Sequence, residues 1–306
     1  MNKLSEELFK NCSNYIMERG RSLEKYLFID YFIEPCKSDI INELKKFQNL
    51  DGGFGNGLES DFCLPYSSAM ATSIGLRYLS KYDKQEESAG MIKNAIEYLE
   101  DAYVNKRKGW FAVPGEVNNF PHAPWWNYDE ESGMTIIDKH WGNPTAELIG
   151  YLYKYREYVT GLNVYDLLEY AMNYLNRKRV FESQHEIYCY IDLYNTLPEE
   201  LAVKFKNTLD IAIGQLVNKN VEEWEDYVPK PLDFITDPNE TFNIDNESIN
   251  TNLDYYIWKI GTDGMIIPNW SWGSYEEQWK SAKVEWTALI TFKTLCILDK
   301  FNRIER

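Results

Sequence analysis

The chain has 306 residues, 44% hydrophobic and 26% charged, a balance that fits a folded globular protein and excludes the disordered and fibrous classes. Its formal charge of -16 repels polyphosphate backbones, so nucleic acid is not an expected partner. Aromatic residues reach 15%, enough either to thicken a core between helices or to line a cavity for an apolar or sugar-like ligand.

Read in chain order, the N-terminal "MNKLSEELFKNCSNYI" mixes charges with apolar residues and lacks the continuous apolar core of a signal peptide. Leu4, Leu8, Cys12, Tyr15 and Ile16 repeat on one face of a first helix, and Ile40, Ile41, Leu44 and Phe47 mark a helix running into "FQNLDGGFGNGLESDF". Further stripes predict helices through Ile92, Ala95, Ile96, Leu99 and Tyr103, through Val164, Leu167, Leu168, Ala171 and Leu175, and from Ala202 to Leu216. Thr196 and Glu199 read as a capping box for the last of these. A final helix carries Trp286, Leu289, Phe292 and Cys296. The basic runs Lys106–Lys108 and Arg177–Arg179 follow helical segments, as cations complementing helix C-termini do.

No segment alternates with period two, so the fold class expected is all-α, in a single domain over residues 1–306. No apolar run approaches membrane-spanning length, so no stable membrane insertion is expected. The five cysteines are scattered and form no CxxC, which points to a reduced, cytoplasmic protein.

Three long aromatic-rich connections, about 51–66, 106–142 and 227–283, separate the helices. Each feeds a helix of similar texture: "LPYSSAMATSIGLRYL", "HWGNPTAELIGYLYKY" and "KVEWTALITFKTLCIL". Small residues open each helix and allow close approach to a neighbour, as expected of a repeated helix-loop-helix unit. The turns "LDGGFG" and "TDGMIIPNWSW" correspond as well.

"FQNLDGGFG" resembles the QW-type repeat of terpenoid cyclases and the "QxxDGGFxG" turns of protein prenyltransferase β subunits. The resemblance implies an α/α toroid of helical hairpins, its long loops capping an aromatic central cavity that takes an apolar or isoprenoid-like ligand. It also places Gln48 and Phe54 at the Gln and Trp positions of a structural turn made by Asp51, Gly52 and Gly53. Gly52, Gly53 and Gly55 allow positive φ there, Asp51 bonds turn amides, and Phe54 packs on the next hairpin. The chemistry of those families is not carried over, because DxDD, DDxxD and a histidine in the last third are all missing. No metal or cofactor is therefore expected.

The remaining candidates are polar and aromatic loop residues. Glu59, Asp61, His140 and Asp138 are the candidate acid–base groups. His122, Trp125, Trp126, Trp141, Trp270, Trp272, Glu285 and Trp286 are the candidate ligand-binding groups. Alternatives stand beside several of these: Glu59 and Asp61 as a solvated pair, Glu285 as a charge at a helix N-terminus, and Asn143 as an N-cap before Pro144. A carbohydrate-active toroid, a glycoside hydrolase or lyase using these groups, and a non-catalytic module with an acidic rim are the other functional readings.

Overall fold

A computed structural model describes residues 2–305, and among them the chain is all-helical, with eleven α-helices and only isolated β-bridges. In chain order these are α1 (Glu6–Arg19), α2 (Ser22–Phe32), α3 (Lys37–Lys45), α4 (Ala69–Leu79), α5 (Glu86–Asp101) and α6 (Gly142–Lys154). Then come α7 (Val164–Arg177), α8 (Gln184–Thr196), α9 (Glu199–Leu216), α10 (Asn246–Asp263) and α11 (Glu276–Lys300). Short side chains start several of them: Ser5, Ser68, Asn163, Ser183 and Asp245 each accept a hydrogen bond from a first-turn amide.

Contacts group the chain into two compact units. The first comprises residues up to Ile40, Leu216–Trp272 and the chain from Glu276 onward; the second comprises Ile41–Gln215 with Gly273–Tyr275. In the first unit α1 packs on α2, α10 and α11, around rings of Phe9, Phe28, Phe32 and Phe292. Its ends are tied by Leu4 N–H to Arg303 O at 2.8 Å and Glu305 N–H to Leu4 O at 2.9 Å. Leu4 thus belongs to this tie, just outside the helix on whose stripe it was expected.

In the second unit α6 is the most enclosed element, buried from Gly142 through Leu152. Small residues make that possible, as the repeat predicts. A Cβ on Gly142 would lie 2.7 Å from the Tyr190 ring of α8, and one on Gly150 would lie 3.4 Å from the Leu193 backbone. Glu186 of α8 accepts the Gly142 amide at 2.9 Å and the Lys178 ammonium at 2.5 Å, which neutralises a carboxylate that is 1% exposed.

The three repeat helices α4, α6 and α11 share one contact. A threonine hydroxyl in each accepts the backbone N–H of an apolar residue in its own preceding loop: Phe54 to Thr72 at 3.0 Å, Trp110 to Thr145 at 3.3 Å, and Ile266 to Thr291 at 3.0 Å. All three threonines are fully buried, and Phe54, Trp110 and Ile266 are buried with them. The loop is thereby fastened one turn inside the helix in α4 and α6, and about four turns inside the longer α11. The second instance, "KGW" at 108–110, is the one that sequence texture shows most weakly, because no Asp-Gly-Gly announces it.

At the first clasp the expected turn chemistry is present. Gln48 Nε2 donates to Gly52 O at 2.8 Å and to Met91 O of α5 at 2.9 Å. Asp51 Oδ1 accepts the Gly53 amide at 3.0 Å and the Ser67 hydroxyl at 2.6 Å. Phe54 lies against Gly75 of α4, where a Cβ would come within 2.7 Å of its ring. Only Gly52, with φ of 88°, uses the left-handed region; Gly53 and Gly55 are required instead because Ser67 and Tyr66 pass within 2.6 and 2.3 Å of where a Cβ would stand.

Several local expectations need correction. The connection expected over 227–283 contains α10, which Asp245 caps, and the start of α11. Thr196 is the last residue of α8 and gives its hydroxyl to Asp192 O at 2.7 Å, so it does not cap α9, whose first amides turn to Pro198 O. Asn143 has the extended backbone of a helix-start residue, but its side-chain oxygen receives the Cys189 thiol at 3.6 Å. Arg107 serves a loop, not a helix end, by donating to Trp110 O and Asp138 O at 2.8 and 2.7 Å.

Candidate functional site

Two loops of the second unit meet as a short antiparallel ribbon. Cys63 N–H bonds Pro121 O and Ala123 N–H bonds Asp61 O, both at 2.8 Å, which sets Phe62 opposite His122. Residues 56 and 57 make the approach, with φ of 54° at Asn56 and 74° at Gly57. The ribbon holds two of the predicted site residues, Asp61 and His122, with Glu59 bonded to the Asp61 amide and Trp126 packed on Phe62.

Their burial changes how they are understood. Glu59 and Asp61 are 9% and 5% exposed, so they are not the solvated surface pair that so acidic a chain suggests. Glu59 Oε1 accepts the Asp61 amide at 3.1 Å, which fixes the first carboxylate to the backbone of the second. The His122 ring nitrogen Nδ1 lies 2.6 Å from Phe120 O. A carbonyl only accepts, so Nδ1 carries the hydrogen, and in the neutral ring Nε2 is left with a lone pair able to take a proton. The other face of the ring meets Tyr275, with centroids 5.9 Å apart.

Trp126 closes this group. Its ring stands edge-on to Phe62 at 5.1 Å and is 5% exposed, yet its indole N–H has no acceptor. A buried donor without an acceptor is costly, about 1–3 kcal/mol, and polar groups left in that condition in a folded protein are few. Trp125, one residue before it, is half-buried.

The other predicted residues have separate work. Asp138 Oδ1 accepts the Ala112 amide at 2.7 Å and Oδ2 accepts both the amide and the hydroxyl of Thr135. Arg107 lies 3.8 Å from the same carboxylate, and His140 is not among its partners. Asp138 therefore holds the long loop in shape. His140 neighbours His185, whose pKa falls to about 4 through burial and, after that, the nearby His140. Trp141 gives its indole N–H to Arg107 O at 2.9 Å and packs on Tyr170 and Tyr174.

The candidates of the first unit lie on α11 and the loop before it. Trp270 packs edge-on between Tyr227 and Trp286, and Trp272 packs on Trp279. Glu285 lies in the third turn of α11, well past its N-terminus, and pairs with Arg21 at 3.4 Å. That position replaces the helix-dipole reading of Glu285.

A second polar cluster escaped sequence reading. Arg77 of α4 grips Glu147 of α6 through Nε and Nη2 at 2.8 and 2.6 Å, and the Tyr151 hydroxyl donates to Glu147 at 3.1 Å. Arg77 and Tyr151 line a groove of about 390 Å³, which adjoins a smaller one of about 240 Å³ through Lys154. The larger is within the size range of small-molecule sites, and none of the predicted aromatic residues lines either. A charged residue amid small and apolar neighbours, as in "GLRYL" and "PTAELIG", is the signal that marks both partners.

Among the described residues no group of three or more His, Cys, Asp or Glu is arranged to hold a metal ion, and no helix is long and apolar enough to cross a membrane. No protein-family model, curated protein or solved structure matches the chain.

Proposed function

We propose that this chain is an α/α-toroid-type protein, akin in build to the terpenoid cyclases and prenyltransferases, that acts on a carbohydrate-like ligand at the loop ribbon of its second unit. The threefold clasp supports the build, since a recurring loop-to-helix fastening is what a hairpin repeat predicts. Fold likeness does not supply chemistry, so the reaction rests on the ribbon.

One observation carries the reading: the pairing of residues 61–63 with 121–123 puts the buried Asp61, whose amide the buried Glu59 accepts, on the same short ribbon as a buried imidazole with a free nitrogen. Glu59 and Asp61 are the acid–base pair, His122 Nε2 is a proton acceptor, and the Trp126 indole N–H donates to a ligand oxygen. An isoprenoid ligand is the less favoured occupant, because it would leave the Trp126 indole N–H without an acceptor in an apolar contact.

The test is a panel of chromogenic glycosides and oligosaccharides set beside prenyl diphosphates. Hydrolysis or saturable sugar binding is expected, with Asp61→Asn and Glu59→Gln lowering turnover by roughly 10²-fold or more while helicity is retained. Saturable binding of a prenyl diphosphate, with no sugar bound or cleaved, overturns the reading.

A further inference from the structure

The C-terminal ends of α4, α6 and α8 bound the groove of about 390 Å³, whose walls include Arg77, Ser80, Tyr151, Asp192, Asn195 and Thr196. Arg77 is anchored: Nε and Nη2 are committed to Glu147, whose side chain is 1% exposed, and Nη2 is also 3.6 Å from Asp192. Its remaining nitrogen, Nη1, makes no hydrogen bond, and the side chain is 37% exposed at the groove. A guanidinium fixed on one edge and open on the other is a preorganised pair of donors.

Charge decides what those donors suit. The groove is bordered by Arg77, Lys81 and Lys154, and against them stand Glu147, Asp192 and Asp83, the last 2.8 Å from Lys154. The cations and carboxylates balance, so an anionic ligand gains little and meets Asp192 beside Arg77. An apolar ligand would bury Nη1 with no acceptor. The Ser80 and Thr196 hydroxyls already donate to Arg77 O and Asp192 O, which leaves their lone pairs to accept. A carboxylate offers about four acceptor positions, so Asp192 takes a ligand hydroxyl in addition to what it holds. Donors and acceptors interleaved in a charge-neutral groove match a ligand whose every group does both, which is a hydroxyl.

We propose that this groove is a binding site for a neutral polyhydroxylated molecule, a monosaccharide or sugar alcohol, with Arg77 Nη1 donating to one ligand hydroxyl and Asp192 accepting from another. The site is distinct from the loop ribbon and does not depend on it.

The experiment is a calorimetric titration of the full chain with glucose, galactose, mannose, N-acetylglucosamine and sorbitol, beside glycine betaine and inorganic phosphate. At least one neutral polyol binds saturably, and Arg77→Lys, which keeps the charge but loses the planar fork, weakens it roughly tenfold or more. Because Arg77→Lys disturbs a buried pair, Asn195→Trp serves as the second variant: Asn195 is exposed on the groove wall, and the indole fills the space while both members of the Arg77–Glu147 pair are kept. Loss of binding in Asn195→Trp and its survival in Asp61→Asn support the groove; loss in Asp61→Asn alone assigns the sugar to the ribbon and overturns the proposal. Saturable binding of phosphate or betaine in preference to every polyol, or no polyol binding at all, overturns it too.

Discussion

Replacing Thr72 with valine keeps the side-chain shape and removes one oxygen, the acceptor of the Phe54 amide at 3.0 Å. Thr72 and Phe54 are both fully buried, so no water replaces that acceptor. The cavity left is negligible, and the cost is that of a buried N–H without a partner, about 1–3 kcal/mol. The same reasoning applies to Thr291→Val, whose bond is also 3.0 Å, while Thr145→Val removes a longer bond of 3.3 Å. Expected losses are therefore about 2 kcal/mol at Thr72 and Thr291 and nearer about 1 kcal/mol at Thr145. Amide hydrogen exchange reports the effect most directly, since about 1.4 kcal/mol corresponds to a tenfold loss of protection. Each variant deprotects its own loop amide, at Phe54, Trp110 or Ile266, and spares the other two. Urea unfolding supplies the global value. Unchanged protection at Phe54 in Thr72→Val, or equal deprotection of all three loops by one variant, refutes the reasoning that each clasp is an independent local fastening.

Glycine substitutions separate conformational strain from collision. Gly52→Ala places a Cβ 2.3 Å from the Asn94 carbonyl oxygen at φ of 88°, and is expected to cost about 3 kcal/mol or more in thermal or urea unfolding. Gly57→Ala has a similar φ of 74° in open space and should cost only about 1 kcal/mol. Glu147→Gln leaves Arg77 only the longer 3.6 Å pairing to Asp192; loss of one partner from a buried pair costs about 3–5 kcal/mol, which that pairing and the 37% exposure of Arg77 lower to about 2–3 kcal/mol in the same assay. His185 predicts a pH dependence. Burial and then His140 lower its pKa to about 4 against an ordinary value of 6.5, so between those values the unfolded chain binds the proton and the folded chain does not. Stability is complete above pH 6.5 and falls as the pH drops toward 4, by about 3 kcal/mol in all. His185→Gln should flatten that part of a stability-against-pH curve, and an unchanged slope would contradict the assignment.

The helical class was legible because stripes such as Leu167, Leu168, Ala171 and Leu175 survive in the folded chain as buried faces. Helices without a one-sided stripe were not. Helix α2, "SLEKYLFIDYF", is apolar nearly all round, and α8 mixes tyrosines on every face, so neither shows a single side. Helix α10 did carry Ile249, Leu253, Tyr256 and Ile260, but its Asn, Thr and Asp content resembles a loop. The DGG turn was legible in detail because turn chemistry is local: Gln48, Asp51 and Gly52 reach groups that their types alone anticipate. What each glycine does was less visible, since only coordinates distinguish positive φ at Gly52 from crowding at Gly53 and Gly55.

For the site, residue types nominated Glu59, Asp61, His122 and Trp126, and long-range pairing of residues 61–63 with 121–123 brought Asp61 and His122 onto one ribbon, with Glu59 and Trp126 attached at its edges. Such pairing leaves no periodic trace in a sequence. The same limit hid the Arg77–Glu147 pair, whose partners stand 70 residues apart. Asp138 shows the reverse case, a plausible acid whose oxygens are taken by Ala112 and Thr135.

The ribbon's role is tested most directly by the indole N–H resonances of ¹⁵N-tryptophan-labelled protein during titration with oligosaccharides. Trp126, whose N–H has no acceptor, should shift saturably as that hydrogen finds a ligand oxygen, while Trp141, already bonded to Arg107 O, stays in place. A Trp126 signal unmoved by every sugar, or moved only by a prenyl diphosphate, would contradict the account.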